Sequence, residues 1–530
     1  MSSSRSGSLA AWMASGGILL FVAIPVCGLI AASEARESTI SLSDPYVLQI
    51  LRFTLLQAVL SAGLSIALAI PIARALARRQ SFAGRDLLLR LFAVPLGLPQ
   101  LVAVLGLITV FGRQGWLNSL LGSVGLPPLP SLFGLKGILL AHVFFNMPLA
   151  VRFLLARLDA VPQEYWRLAA SLGFPPPSVF RLIEWPHMRT VLPGVFALIF
   201  MLCVTSFTVV LTLGGGPQAT TLEVAIYQAL RFDFDPVLAA RLAGLQILLC
   251  ALLLIGLQGM TLGFVGGARL AASTVRPDSG DKGGKVLDIL LIGCGALLVV
   301  LPLAAILWDG LDADMSRLAG NATLWRAAMW SLILGLSAAV LATLTASTLA
   351  RAIARSRGTV ALIFRMSGNL VLLIPPLVLA AGMFLLLHRL VDPQHLAPYA
   401  VVAINAIMAL PFALAVTEPA FRGSFLVHDR LADSLGIEGL SRFRLVEWPV
   451  IKRSLALGFL VALLVSIGDF GIIAFFGSED LITLPLYLYQ RIGSYRFNDA
   501  AAIALVLLVV CLALSWIIER QSRREARFSQ

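Results

Sequence analysis

Asp469 is the residue whose surroundings most restrict its chemistry. It stands in Ser466-Ile467-Gly468-Asp469-Phe470-Gly471, inside an apolar stretch long enough to cross a bilayer. A charged aspartate at that depth costs about 2.5–3.5 kcal/mol on insertion scales, so it must face a cavity, a partner or a break in its helix. A carboxylate so placed can attract a cation, and the aromatic face of Phe470 adds about 0.5–2 kcal/mol for a cationic ring. The plainer alternative is that Gly468 and Gly471 break the helix and Asp469 caps the amides they expose. His142 and Asn146, in another apolar stretch, suit hydrogen bonds between helices. Elsewhere the sequence shows no paired catalytic carboxylates and no histidines at metal-ligand spacing. The nearest approach to a phosphate-binding loop, Gly283-Gly284-Lys285, lacks the leading glycine and is followed by Val286. No catalytic residue, metal or cofactor is therefore expected, and no ATP hydrolysis by this chain. Cys27, Cys203, Cys250, Cys294 and Cys511 lie in apolar stretches without a C-x-x-C pair, and are expected to be buried spectators.

Recognition is written in a repeat. Glu164 to Pro186, EYWRLAASLGFPPPSVFRLIEWP, returns as DRLADSLGIEGLSRFRLVEWP at Asp429 to Pro449. One offset, 263 residues, aligns Ala169 with Ala432, Gly173 with Gly436, Arg181 with Arg444 and Glu184-Trp185-Pro186 with Glu447-Trp448-Pro449. The same offset pairs Asp469 with Ser206 and Phe470 with Phe207, so the halves differ at that depth. A weaker match, Ala73-Arg74-Ala75 with Ala350-Arg351-Ala352 and Pro99 with Pro376, runs at 277. The first half thus carries about fourteen extra residues, near Arg113 to Leu132. The repeat divides the chain into halves 1–262 and 286–530, joined by 263–285, whose stretch GGARLAASTVRPDSGDKGGK reads as a flexible linker.

The elements that must carry these residues are membrane spans. With 59% hydrophobic and 13% charged residues and a mean hydropathy of +0.91, the chain has more apolar surface than a soluble core can hide. About twelve apolar runs appear, near 11–32, 53–76, 88–112, 137–156, 191–213, 237–260, 286–308, 328–350, 364–387, 398–417, 454–477 and 499–518. The fold expected is all-α and polytopic, two homologous six-helix halves of the same orientation. The first run exceeds a signal-peptide core and reads as a retained span. The net charge of +12 falls in alternate loops, which places both termini and both repeat copies in the cytoplasm and removes nucleic acid as a partner. The extra residues of the first half then lie on the outer side.

Each repeat copy, spanning 162–187 and 425–450, reads as a cytoplasmic helix-turn-helix elbow. Pro162 opens a helix, Gly173 permits a left-handed cap, Pro175-Pro176-Pro177 stops continuation, and a second short helix from Ser178 is expected to end at Pro186. Ala169, Ala170 and Ser171 offer a small-residue face to another protein. The spacing resembles the EAA loop of ATP-binding-cassette importer permeases: Gly173, Ile183 and Pro186 match in the first copy, and Gly436, Val446 and Pro449 in the second. The family's glutamate is replaced by Arg167 and Arg430, and its penultimate leucine by Trp185 and Trp448. The resemblance implies a type I importer permease fold and a bacterial inner-membrane location. It implies two copies of a separate ATP-binding subunit, coupled through Arg167, Ala169, Ala170, Gly173, Glu184 and Pro186 and through Arg430, Ala432, Gly436, Glu447 and Pro449.

Nearly the whole chain is similar to fused thiamine and thiamine pyrophosphate permeases. The similarity rests on GRQGWL at 112–117, GILLAHVFFN at 137–146, LGGGPQATTLEVAIYQAL at 213–230, SLGIEG at 434–439, SIGDFG at 466–471 and TLPLYLYQRIGSYR at 483–496. It implies import of thiamine or its phosphate esters, delivered by an external thiamine-binding protein. Asp469, Phe470, Ser206 and Phe207 would line the path. Gly214, Gly215, Gly216, Gly477 and Ser478 would form an external gate, with a plain exit turn as the alternative. A fused iron(III) permease shares the two-half plan, so these segments carry the choice of substrate. An ion-coupled carrier also has twelve spans in two repeats, but it needs coupling sites inside the membrane, whereas here the strongest repeat is in the loops.

Overall fold

In hydrocarbon, backbone amides must be satisfied within their own segment, and this chain satisfies them with helices. The computed structural model describes residues 2–34, 44–257, 276, 282–314, 317, 319–372, 374–390, 393–437 and 439–528. Every regular element among them is helical. The principal helices of the first half are α1 (Ser2–Glu34), α2 (Pro45–Arg78), α3 (Gln100–Phe111), α4 (Leu135–Asp159), α5 (Gln163–Ser171), α6 (Leu192–Val204), α7 (Thr208–Leu213), α8 (Leu222–Arg231) and α9 (Pro236–Leu257). The second half supplies α10 (Lys282–Asp312), α11 (Ala322–Arg355), α12 (Pro376–Leu390), α13 (Pro393–Ser434), α14 (Trp448–Ile467), α15 (Gly471–Phe476), α16 (Leu484–Gly493) and α17 (Phe497–Phe528). The sequence offsets recur in these bounds: α2 and α11 differ by 277 at both ends, and α7 and α15 by 263.

Ten helices among the described residues are long and apolar enough to cross a membrane. An eleventh span appears if Pro176–Met188 and Leu192–Val204, bent by 57°, form one crossing. The expected count of about twelve falls short for a physical reason. Proline lacks an N–H and crowds the carbonyl four residues back. Pro95 and Pro99 therefore break the run at 88–112, and the span shifts to Gln100–Ser123. The matching run at 364–387 divides into shorter helices, Thr359–Gly368 and Pro376–His388. The runs at 191–213 and 454–477 each stop at a three-residue break, 205–207 and 468–470.

Polar residues face inward and large apolar ones outward, as a lipid solvent requires. On α2, Thr54, Gln57, Ser61 and Ser65 recur at helical spacing and are fully buried, whereas Leu56, Leu60, Leu64 and Leu68 are exposed. Cys203, Cys250 and Cys511 are buried as expected. Cys27 and Cys294 are exposed instead, on the outward faces of α1 and α10, because each helix packs along one side only.

The compact units are not the sequence halves. The larger comprises residues 1–44, 222–251 and 314–530, the smaller 45–221 and 252–313. The two first helices have changed places: α1 packs on α11 and α12, while α10 packs on α2 and α3. One device serves both contacts. A Cβ on Gly106 of α3 would lie 2.5 Å from the Pro302 carbonyl oxygen of α10, and one on Gly382 of α12 would lie 2.5 Å from the Pro25 carbonyl oxygen of α1. Only glycine lets the backbones approach so closely.

Candidate functional site

The first elbow is a small folded unit with its own core. Trp166 and Ala169 of α5 pack with Val161, Val179 and Ile183, and Phe174 closes the cluster. Gly173 turns the chain at φ 61°. Phe174 N–H donates to the Ala169 carbonyl (3.0 Å) and Gly173 N–H to that of Ala170 (3.2 Å), a Schellman cap. The second elbow repeats this: Gly436 has φ 64°, Ile437 N–H donates to Ala432 (3.0 Å) and Gly436 N–H to Asp433 (3.2 Å).

Beyond the turn the structure corrects one expectation. The helix starting at Pro176 does not end at Pro186 but continues to Met188. A π-turn, Phe180–Glu184, carries Trp185 N–H to the Phe180 carbonyl, and the added residue makes room for the proline ring. Phe443–Glu447 forms the same π-turn before Pro449, and α14 follows without interruption.

The π-turn aims its glutamate inward. Glu184 is fully buried and ion-paired to Arg74 of α2 and to Arg276. Glu447 is paired to Arg351 (2.9 Å) and Arg355 (2.7 Å) of α11. The Arg74 guanidinium lies over Phe180 (4.5 Å to the centroid) and that of Arg351 over Phe443 (5.9 Å). Phe180 and Trp185 sit 6.0 Å apart, as do Phe443 and Trp448. Each elbow is thus fastened to the long helix behind it by a buried, multiply bonded carboxylate. These arginines were legible only as topology signals, yet the Ala-Arg-Ala repeat at offset 277 already marked two of them.

The remaining elbow residues divide between a fastened inside and a free outside. Ala169 (1% exposed) and Ala432 (2%) belong to the inside, so the small-residue face loses its first member. Ala170, Ser171, Gly173, Arg167, Gly436 and Pro449 are exposed, Pro186 is half-buried, and Arg167 donates to the Gln163 side chain (3.2 Å). The side chain of Arg430 lies outside the described residues. Around these positions Leu168, Leu172 and Leu182 in the first elbow, and Leu435, Leu445 and Val450 in the second, leave large apolar side chains uncovered. Of the linker, Arg276 and residues 282–285, where α10 has already begun, are described; the rest lies outside the described residues.

The two breaks are repaired from opposite sides. In the smaller unit, Gln57 donates to the Cys203 carbonyl (2.8 Å) near the end of α6, which also accepts from Ser206 N–H (3.4 Å), and Asn146 donates to the Cys203 sulfur (3.4 Å). His142 is hydrogen-bonded to Ser61 (2.8 Å) and Ser206 (2.9 Å), and Phe207 is buried. In the larger unit, Asp469 is half-buried and accepts from Ile472 N–H (3.3 Å) at the start of α15, while Phe470 packs on Tyr489 (4.9 Å). The glycines expected at a gate are tightly placed. Gly215 and Gly216 have φ 71° and 150°, and a Cβ on Gly215 would meet Phe133 at 2.9 Å. A Cβ on Gly477 would meet Leu486 at 2.3 Å, and Ser478 is tied into a turn with Leu481 (3.2 Å).

Paired elbows at one sequence offset, each anchored to a membrane helix, are the mark of a transport family. The chain belongs to the binding-protein-dependent transport system inner membrane components, matching that family over residues 65–262 and again over 338–527. It is a multi-pass transport permease and not an enzyme. Among curated proteins it is 47% identical to the thiamine transport system permease protein ThiP of Brucella abortus (strain 2308), over 96% of this chain and 94% of that one. It is 43% identical to ThiP of Escherichia coli (strain K12), over 99% and 100%, and 38% identical to ThiP of Haemophilus influenzae, over 93% and 92%.

Proposed function

We propose that this chain is the membrane permease of an ATP-driven importer that moves thiamine, or its phosphate esters, into the cytoplasm by alternating access. The observation that carries the substrate is identity at 43–47% over nearly the full length to permeases named for thiamine transport. The two-half plan alone would serve iron(III) equally, but the full-length relatives at that identity are named for thiamine transport. The energy enters through the elbows. Two ATP-binding subunits dock on their uncovered apolar faces, one on each, on the cytoplasmic side that also holds both termini. Glu184 and Glu447 hold the elbows from within, while Ala170, Gly173, Gly436, Pro449 and the neighbouring leucines meet the partner. An external thiamine-binding protein delivers the solute.

Asp469, at a break inside the membrane, contributes a carboxylate to the path of a cationic solute. The glycines at 214–216 and 477 allow the backbone packing of the outer exits. Uptake of labelled thiamine into cells lacking their own transporter tests the substrate. Expression of this chain with its ATP-binding and solute-binding partners is expected to restore uptake that excess iron(III) does not inhibit. Competition by iron(III), or uptake that persists without the ATP-binding subunit, would overturn it.

A further inference from the structure

We infer that Arg276, at the joint between the two halves, is a working part of the first elbow, in the seat that Arg355 occupies in the second. The offset of 277 maps Arg74 onto Arg351 and Arg78 onto Arg355. Both members of the second pair bind Glu447, so the repeat predicts that Arg74 and Arg78 share Glu184. Only Arg74 follows the rule. Arg78 pairs with Asp288 of α10 (2.6 Å), beside Arg79 (3.0 Å), and the free oxygen of Glu184 is taken by Arg276.

Arg276 is 4% exposed, with its guanidinium over the Trp166 ring at 4.1 Å to the centroid. Trp166 is the centre of the elbow's core, so this one side chain braces both the π-turn and α5. Stacking and pairing by one planar guanidinium is a role lysine does not reproduce. The diverting aspartate and the replacing arginine are twelve residues apart, at the joint between the halves. The first elbow thus draws its second arginine from the joint between the halves, whereas the second draws both of its arginines from α11. Arg276 is a positioning residue: through Glu184 and Trp166 it holds the surface on which the ATP-binding subunit docks. That last step rests on the docking role proposed above.

The test uses the assembled transporter in lipid nanodiscs, with hydrogen exchange measured along α5 and, as internal reference, along the second elbow. Arg276→Ala is expected to speed exchange across Gln163–Ser171 on the order of tenfold or more, as loss of a buried charge partner implies, and to leave 429–436 unchanged. Adding Asp288→Asn releases Arg78 from its pairing with Asp288, and its reach to Glu184 is expected to restore most of the protection. Unchanged exchange in α5, equal loosening of both elbows, or failure of Asp288→Asn to restore protection would each overturn the inference. Loosening of α5 with full retention of the ATP-binding subunit would support the role of Arg276 while refuting the docking role of the elbow.

Discussion

Single carboxylates have opposite tasks in this molecule. Glu184 is locked between two arginines, one of them 3% exposed; at Glu447 both partners are more open, 30% and 26% exposed. Removing one member of a buried ion pair costs about 3–5 kcal/mol because the other charge is stranded. Glu184→Gln is therefore expected to make the first elbow protease-sensitive, and Glu447→Gln to do so less, since water reaches Arg351 and Arg355. Equal sensitivity, read by limited proteolysis, would contradict the difference in burial. Asp469 accepts from a backbone N–H at the start of α15, and the path proposed above would give its carboxylate a cationic solute to attract. Asp469→Asn keeps the hydrogen bond to Ile472 and is expected to lower thiamine uptake on the order of tenfold, the scale of one lost charge-assisted contact. Unchanged uptake with intact protein would leave Asp469 a helix cap. The sequence exposed Asp469 at once, because an acid among apolar residues stands out. Arg276 was hidden, because an arginine in a glycine-rich linker looks like solvated charge until its partners are placed.

At the scale of elements, the turn glycines matter by conformation and not by crowding. No atom lies within 4 Å of a Cβ built on Gly173 or Gly436, so a side chain fits but the left-handed backbone resists it. That resistance is roughly 1–2 kcal/mol for most residues and is relieved for asparagine. Gly173→Val and Gly436→Val are expected to uncouple ATP hydrolysis from uptake in reconstituted vesicles, whereas Gly173→Asn retains coupling. Asparagine and valine variants behaving alike would rule out the turn as cause. Both turns were legible from glycine placement. The π-turns were not, because periodicity cannot distinguish a helix that a proline ends from one that absorbs the proline with one extra residue. The break at 468–470 was legible as an alternative, because Gly468, Asp469 and Gly471 interrupt the apolar run; the break at 205–207 was not, because Thr205 and Ser206 can continue a helix by bonding back to their own backbone.

For the whole molecule, the two glycine-to-carbonyl approaches set how each first helix is held. Gly106→Leu would wedge α3 from α10, and Gly382→Leu would wedge α1 from α12. Overpacking of this kind costs about 1–3 kcal/mol, so each variant is expected to melt several degrees lower in detergent, with the drop measured by nanoscale fluorimetry. A variant as stable as the parent would mean that its contact is not close-packed. The repeat, the spans and the class of protein could be read from the chain. The exchange of first helices could not, since it depends on which faces meet across hundreds of residues.

That exchange also dictates an order of birth. The smaller unit has all its residues once synthesis passes 313, but the larger cannot close until its last helices emerge. Ser15 of α1 hydrogen-bonds Ser367, 352 residues later. At a synthesis rate of roughly 5–20 residues per second, α1 waits roughly 20–70 s for that partner. Through that interval the first helix made must reside in lipid without its later partners, and a ribosome stalled just past residue 313 would leave a smaller unit with all its residues and an α1 still unpaired with Ser367.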